Sequence, residues 1–252
     1  WLLEQRYPGL VTPDSPTQRV AGIPLPGFRK VQHERPVISI EDAFNLEEVA
    51  AWQARCQKVL GEKVLGYFGE LKMDGLAMVL TYEHGLLTLA ATRGDGRVGE
   101  DVTQNVRTIE SVPLRLEATR RKLPARLSVR GEVVITRQEL ERINRVQAKA
   151  GLASFANPRN LAAGTIRQLD AKVAASRNME FYAFEIVTDV GVKTHAAVHQ
   201  LLRELGFRTN PHCRVLPDLA AVGKYVATWE NGRAKLPYQT DGVVVVVNDV
   251  AQ

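Results

Sequence analysis

The sequence predicts an α+β fold in which helices pack on antiparallel sheets, arranged as two closely joined lobes. Three observations carry that expectation. Strand-like apolar segments at about 64–71, 76–82 and 86–92 follow one another across short turns, the connection that suits antiparallel neighbours. Helical segments stand among the strands, with apolar residues at 3.6-residue spacing over 41–60. A chain of 252 residues can bury a sizeable core in one large or two small lobes.

Residues 1–40 hold Pro8, Pro13, Pro16, Pro24, Pro26 and Pro36. Proline fixes φ and removes a donor, so this stretch reads as an irregular, extended wrap before a core of 41–252. Its apolar residues Leu10, Val20, Ile23, Leu25 and Phe28 suggest packing against that core. His33–Ile40 reads as a short strand, with Ser39 and Ile40 ending it just before the helix of 41–60, which Gly61 stops. Ser39 there is either a helix cap or a contact for a phosphate at free backbone N–H groups. Glu70-Leu71-Lys72-Met73-Asp74-Gly75 forms a tight turn between two strands. Glu83-His84-Gly85 is a hairpin signal, with His84 an exposed turn residue. The segment 92–96 is a glycine-rich loop, 100–106 a short helix, 127–135 a buried strand and 137–150 a polar helix. A helix runs through 161–169, a strand through 179–187, and helices over 195–205 and about 217–231. The valine run 242–247 reads as a fully buried strand.

Lys+Arg 33 against Asp+Glu 28 leaves a formal charge of +5, a mild basic excess compatible with a phosphate-rich partner. No apolar run approaches the ~20 residues needed to span a bilayer, and the first residues do not form a signal peptide. Without an initiator methionine the chain is expected to be a fragment. Cys56 and Cys213 are far apart and no C-x-x-C pair occurs, so neither a zinc site nor a disulfide is expected, and Cys56 reads as a small core residue. His195, His199 and His212 share no metal-ligand spacing with nearby acids. The expected compartment is cytoplasmic.

The chemistry-bearing stretch is the turn around Lys72. A partly desolvated amine at a strand end can lose its proton and act as a nucleophile. Asp74, two residues on, would share its face along a strand and orient the amine or hold a metal or ribose. An ion pair at a strand end explains the same spacing equally well. Arg93 offers a charged fork where Gly94 and Gly96 let backbone approach a ligand, although a plain glycine-rich turn has the same composition. Glu132 in a buried strand needs a partner, either a ribose hydroxyl or a salt bridge with Arg130 or Lys72. Arg159 and Arg167, eight apart, share a helical face if both lie on the helix, where they suit phosphate oxygens or form a solvated face.

Taken in order, Thr12–Val20, Lys72–Gly75, Ala90–Gly96, Gly99–Thr103, Val129–Val133, Phe155–Gly164 and Thr240–Val244 resemble the adenylation domain of a bacterial-type NAD+-dependent DNA ligase. The likeness runs from about residue 7 to the end. It implies the nucleotidyltransferase core shared with ATP-grasp-like ligases and capping enzymes. It also implies NAD+ and magnesium (or manganese) as cofactors, nicked double-stranded DNA as partner, a monomeric state, and work in DNA replication and repair. By resemblance Lys72 is the nucleophile with Asp74 beside it. Ser39, Ile40, Glu70, Arg93 and Glu132 bind the nucleotide, Glu70 at the adenine and Arg93 and Glu132 around the ribose, while Arg159 and Arg167 touch DNA beside the nick. The family carries a lysine five residues after the aspartate of its D-G motif, and here that position is Val246. The resemblance also implies a missing N-terminal helical subdomain and a further lysine-bearing strand beyond Gln252. Two other readings stay open: a catalytically impaired nucleotide- or DNA-binding module, favoured by Val246, and an ATP-dependent RNA ligase or capping-type enzyme.

Overall fold

The computed structural model describes residues 2–20 and 25–252. Helix α1 (Leu2–Arg6) is followed by two short 3-10 turns, then strand β1 (Lys30–Gln32) and helix α2 (Leu46–Leu60). Strands β2 (Tyr67–Met73), β3 (Leu76–Glu83), β4 (Leu86–Thr92) and β5 (Val98–Glu100) come next, with α3 (Thr103–Val106), β6 (Arg126–Ile135) and α4 (Arg137–Lys149). The order closes with α5 (Pro158–Ile166), α6 (Ala171–Ala175), β7 (Met179–Ile186), α7 (His195–Glu204), β8 (Arg214–Leu216), α8 (Leu219–Gly232) and β9 (Thr240–Val247).

Local chemistry sets these bounds. Asn45, Thr136, Asn157, Thr194 and Asp218 each accept the backbone N–H three residues on, capping α2, α4, α5, α7 and α8. Gly61 ends α2 at φ 73°. His84 (φ 49°) and Gly85 (φ 80°) both take the left-handed conformation, the two-residue turn whose twist matches a β3–β4 hairpin.

Every strand pair among the described residues is antiparallel. The sheets run β1-β5, β8-β2-β9 and β4-β3-β6-β7. β2 and β3 therefore do not pair with each other. The chain leaves the three-stranded sheet at Asp74 and enters the four-stranded one at Leu76, so the expected tight turn is a crossing between sheets. The main core lies on the four-stranded sheet, where Leu80, Val129 and Phe181 meet Leu161 and Ile166 of α5 and Leu202 of α7. A smaller core under α8 joins Tyr67, Leu216, Val222 and Tyr225.

Several expectations are corrected. Residues 33–40 form no strand: β1 ends at Gln32, and Arg130 donates to the carbonyls of Arg35 and Pro36, satisfying them without a sheet partner. Helix α2 starts at Leu46, so Ser39 and Ile40 do not precede a helix. The wrap is not held through Leu10 and Val20, which are exposed; among those named residues that are described, Phe28 alone packs on the main core, and Leu25 is half-buried. Ile23 and Pro24 lie outside the described residues. Instead the Arg19 guanidinium donates to the carbonyls of Arg107, Ile109 and Val112 at 2.9–3.1 Å, and Asp14 pairs with Arg115. The β9 valines are half-buried rather than fully buried, because β9 pairs only with β2 and helix α8 covers one face. Strand β8 and helix α6 carry no signal strong enough to have been expected.

Candidate functional site

Five of the expected residues, Glu70, Lys72, Asp74, Glu132 and Arg159, come together where the two sheets meet. Glu70 and Lys72 lie on β2 opposite Val244 and Gly242 of β9, and directly paired residues share a sheet face. The ladder shifts between Lys72 and Met73, and the strand ends there. The shift leaves Asp241 as the extra residue on β9, and Asp241 rather than Asp74 takes the lysine. The Lys72 Nζ donates to Asp241 Oδ2 at 2.6 Å, with the lysine side chain 33% exposed. Asp74 is ion-paired with Arg159 at 3.2 Å, and its backbone N–H donates to the Gln239 carbonyl. The amine is therefore held by a carboxylate and reached by water, not sunk in an apolar pocket.

Gly75 lets the crossing strand lie against β6. A Cβ there would stand 2.2 Å from the Val133 carbonyl oxygen and 2.9 Å from Glu132 Cγ, so no side chain fits. That close approach delivers the Gly75 N–H to the Glu132 carboxyl. Burial pushes Glu132 up to about 7, opposed by Arg159, Lys72 and the Gly75 N–H. Arg130, one expected salt-bridge partner, pairs with Glu185 instead. Glu70 is pushed up to about 8 by burial alone.

Arg93 ends the β4 segment with its N–H on the Ala77 carbonyl and its Nη2 on Ser39 Oγ at 3.0 Å, while its buried Nε has no partner. The loop after it depends on Gly94 at φ 58°, where a Cβ would meet the Val98 carbonyl at 1.8 Å. Ser39 and Arg93 are thus brought together, with Ile40 beside them and half exposed. Arg159 sits in the first turn of α5 and Arg167 just after its last, both exposed. Arg167 pairs with Glu100, as does Lys30.

Two residues enter the site that spacing alone did not assign to it. Asp241 was visible in the Thr240–Val244 motif, but only the β2–β9 register places it at Lys72. His199 belongs to the buried stripe of α7 with Val198, Leu201 and Leu202, a signal for burial but not for its neighbour: its Nε2 stands 3.6 Å from Glu70 Oε2. Val246 pairs with Phe68, putting an apolar side chain on the Lys72 face of the sheet.

Residues 25–252 match the model of the NAD-dependent DNA ligase adenylation domain. A DNA ligase of Herpetosiphon aurantiacus is 46% identical over 99% of this chain and 37% of its own length. DNA ligases of Shouchella clausii (46% identical; 99% of this chain, 36% of that protein) and Thermotoga maritima (44%; 98% and 35%) are similar. The chain thus spans less than two-fifths of these relatives. The solved ligase domain of M. tuberculosis LigD aligns over 75% of this chain and 51% of that one, at 19% identity and a TM-score of 0.39, too remote to carry an argument. The sequence match, which takes in the lysine at the sheet crossing and the glycines that shape it, decides the matter: the chain belongs to the family of NAD-dependent DNA ligase adenylation domains.

Proposed function

We propose that this domain performs the adenylation step of a DNA ligase with Lys72 as nucleophile. Its Nζ attacks the adenylyl phosphorus of NAD+, the bond from that phosphorus to the bridging oxygen breaks, nicotinamide mononucleotide leaves, and a lysyl-AMP phosphoramidate remains. The AMP then passes to the 5′-phosphate of a nick, and the 3′-hydroxyl displaces it. The observation that carries this reading is the Lys72–Asp241 contact at the sheet crossing, with two partly buried glutamates, Glu70 and Glu132, close by. For attack, the ammonium has to lose a proton and part from Asp241.

Glu70 reads the adenine, Glu132 and Arg93 surround the ribose, and Ser39 and Ile40 line the same nucleotide. Asp74 fixes Arg159 at the edge of the site, and Arg159 and Arg167 meet the DNA backbone. Among the described residues no three acids, histidines or cysteines stand together as a metal site; Asp74 and Asp241, each in an ion pair, would offer carboxylate oxygens to magnesium or manganese held mainly by the nucleotide phosphates. When bound, that cation supplies charge neutralisation on the phosphates. Val246 offers none, and loss of one such contact commonly costs about a hundredfold in rate, so a slow enzyme is expected. The domain works as a monomer in the cytoplasm, in replication and repair.

Incubation with NAD+ or ATP labelled in the adenylyl phosphate, with magnesium, tests the donor. Label should enter the protein from NAD+ and not from ATP. Entry from ATP alone would move the chain to the RNA ligase and capping class, and nucleotide bound without covalent label would make it a binding module.

A further inference from the structure

We propose that His199 is a positioning residue for base recognition: its Nε2 engages Glu70 Oε2 and so fixes the other carboxyl oxygen, Oε1, as an acceptor for the exocyclic amine of adenine. This rests on the reading of Glu70 given above and deepens it.

The geometry isolates the pair. The His199 side chain is 2% exposed and that of Glu70 14%, so the histidine is sealed behind the carboxyl while the carboxyl keeps a small opening. The imidazole is clamped against the Phe68 ring at 4.6 Å between centroids, which limits its rotation. Its Nδ1 is buried without a hydrogen-bond partner. A separation of 3.6 Å is slightly long for a hydrogen bond, and such contacts in a ligand-free site commonly shorten when the ligand closes it.

The surroundings keep the pair uncharged. Burial pushes Glu70 up to about 8. Burial first, then Arg203 and His195 on the same helix, push His199 down to about 4, with the Phe184 backbone acting the other way. At neutral pH the stable arrangement is a protonated Glu70 donating from Oε2 to a neutral Nε2. Oε1 then has no proton and can only accept. An adenine amine donates to it; the carbonyl oxygen of hypoxanthine meets a second acceptor and is rejected. Without His199 the carboxyl proton has no fixed partner and can turn toward a carbonyl, erasing the distinction.

Titration calorimetry with AMP and with inosine monophosphate tests this. The wild-type chain should prefer AMP by at least about tenfold, one hydrogen bond's worth of discrimination. His199→Leu should bring the ratio close to one, and His199→Gln, which keeps an acceptor at similar reach, should restore most of it. Glu70→Gln should lose the ratio too, and the double variant His199→Leu/Glu70→Gln should lose no more than either alone. A His199→Leu protein that melts lower but keeps the wild-type ratio would reduce His199 to packing and overturn the proposal. If His199→Leu does not fold, His199→Phe, which also lacks an acceptor, takes its place, and a wild-type ratio in that variant overturns the proposal equally. Wild-type protein that binds neither nucleotide would instead remove the nucleotide-binding reading, and the proposal with it.

Discussion

Glu70 sits in low-dielectric surroundings with nothing charged against it, and that cost shows as pH dependence. Its folded value of about 8 lies above the 4.5 of the exposed group. As pH rises the unfolded chain ionises first, so the stability tied to this carboxyl is fully present below about 4.5 and is lost as pH climbs through 8. Glu70→Gln removes the ionisation. The variant should match the wild type in thermal unfolding near pH 4.5 and become the more stable protein by pH 8, by an amount on the order of a few kcal/mol. A difference that stays constant across that range would show that Glu70 is not held in its neutral form. Glu132 works in the same direction more weakly, since Arg159, Lys72 and the Gly75 N–H offset its burial.

At the scale of elements, the crossing from β2 to β3 shapes the site. Gly75 is the hinge of that arrangement because the Val133 carbonyl occupies the place a side chain would need. Gly75→Ala should therefore lower stability by about 2 kcal/mol or more, since the obstacle is backbone that cannot rotate away. A thermal midpoint within a degree of wild type would contradict that view of the crossing. The sequence showed this stretch as strand, turn, strand, and the bounds of β3, β4 and α4 were legible, whereas the helix expected over 161–169 starts at Pro158, where Asn157 caps it. Which strands pair was not legible, because period-2 pattern reports a buried face and not a neighbour. Asp74 was accordingly expected to orient Lys72, whereas Asp241, the extra residue on β9, takes the lysine and Asp74 pairs with Arg159. The same limit hid the exposure of the β9 valines, whose continuous apolar run implies two covered faces where helix α8 supplies one. The N-terminal wrap was misjudged for another reason: Arg19 holds it through three carbonyls, and hydrogen bonds to backbone leave no trace in residue type.

For the whole molecule, a formal charge of +5 is small, so its effect on a polyanion depends on where the arginines stand. Arg159 and Arg167 mark the two ends of α5, each tied to an acid in the free protein, Asp74 and Glu100. Phosphate oxygens have to compete with those acids. Replacing either arginine by alanine should weaken binding to nicked duplex DNA about equally across sequences and reduce the slope of log K against log salt by about one each. An unchanged slope would take these residues off the DNA path. The motif set was legible over nearly the whole chain because it consists of glycines, charged residues and prolines with fixed local jobs. His199 was not, because its role depends on a neighbour more than a hundred residues away. The chemistry proposed for this domain begins at the Lys72 amine. Intact mass after incubation with NAD+ and magnesium, followed by peptide mapping and set beside Lys72→Ala, addresses it directly: one added adenylyl group on Lys72, absent from the variant, is the predicted result. An adduct on another residue, or one that persists in Lys72→Ala, would contradict it.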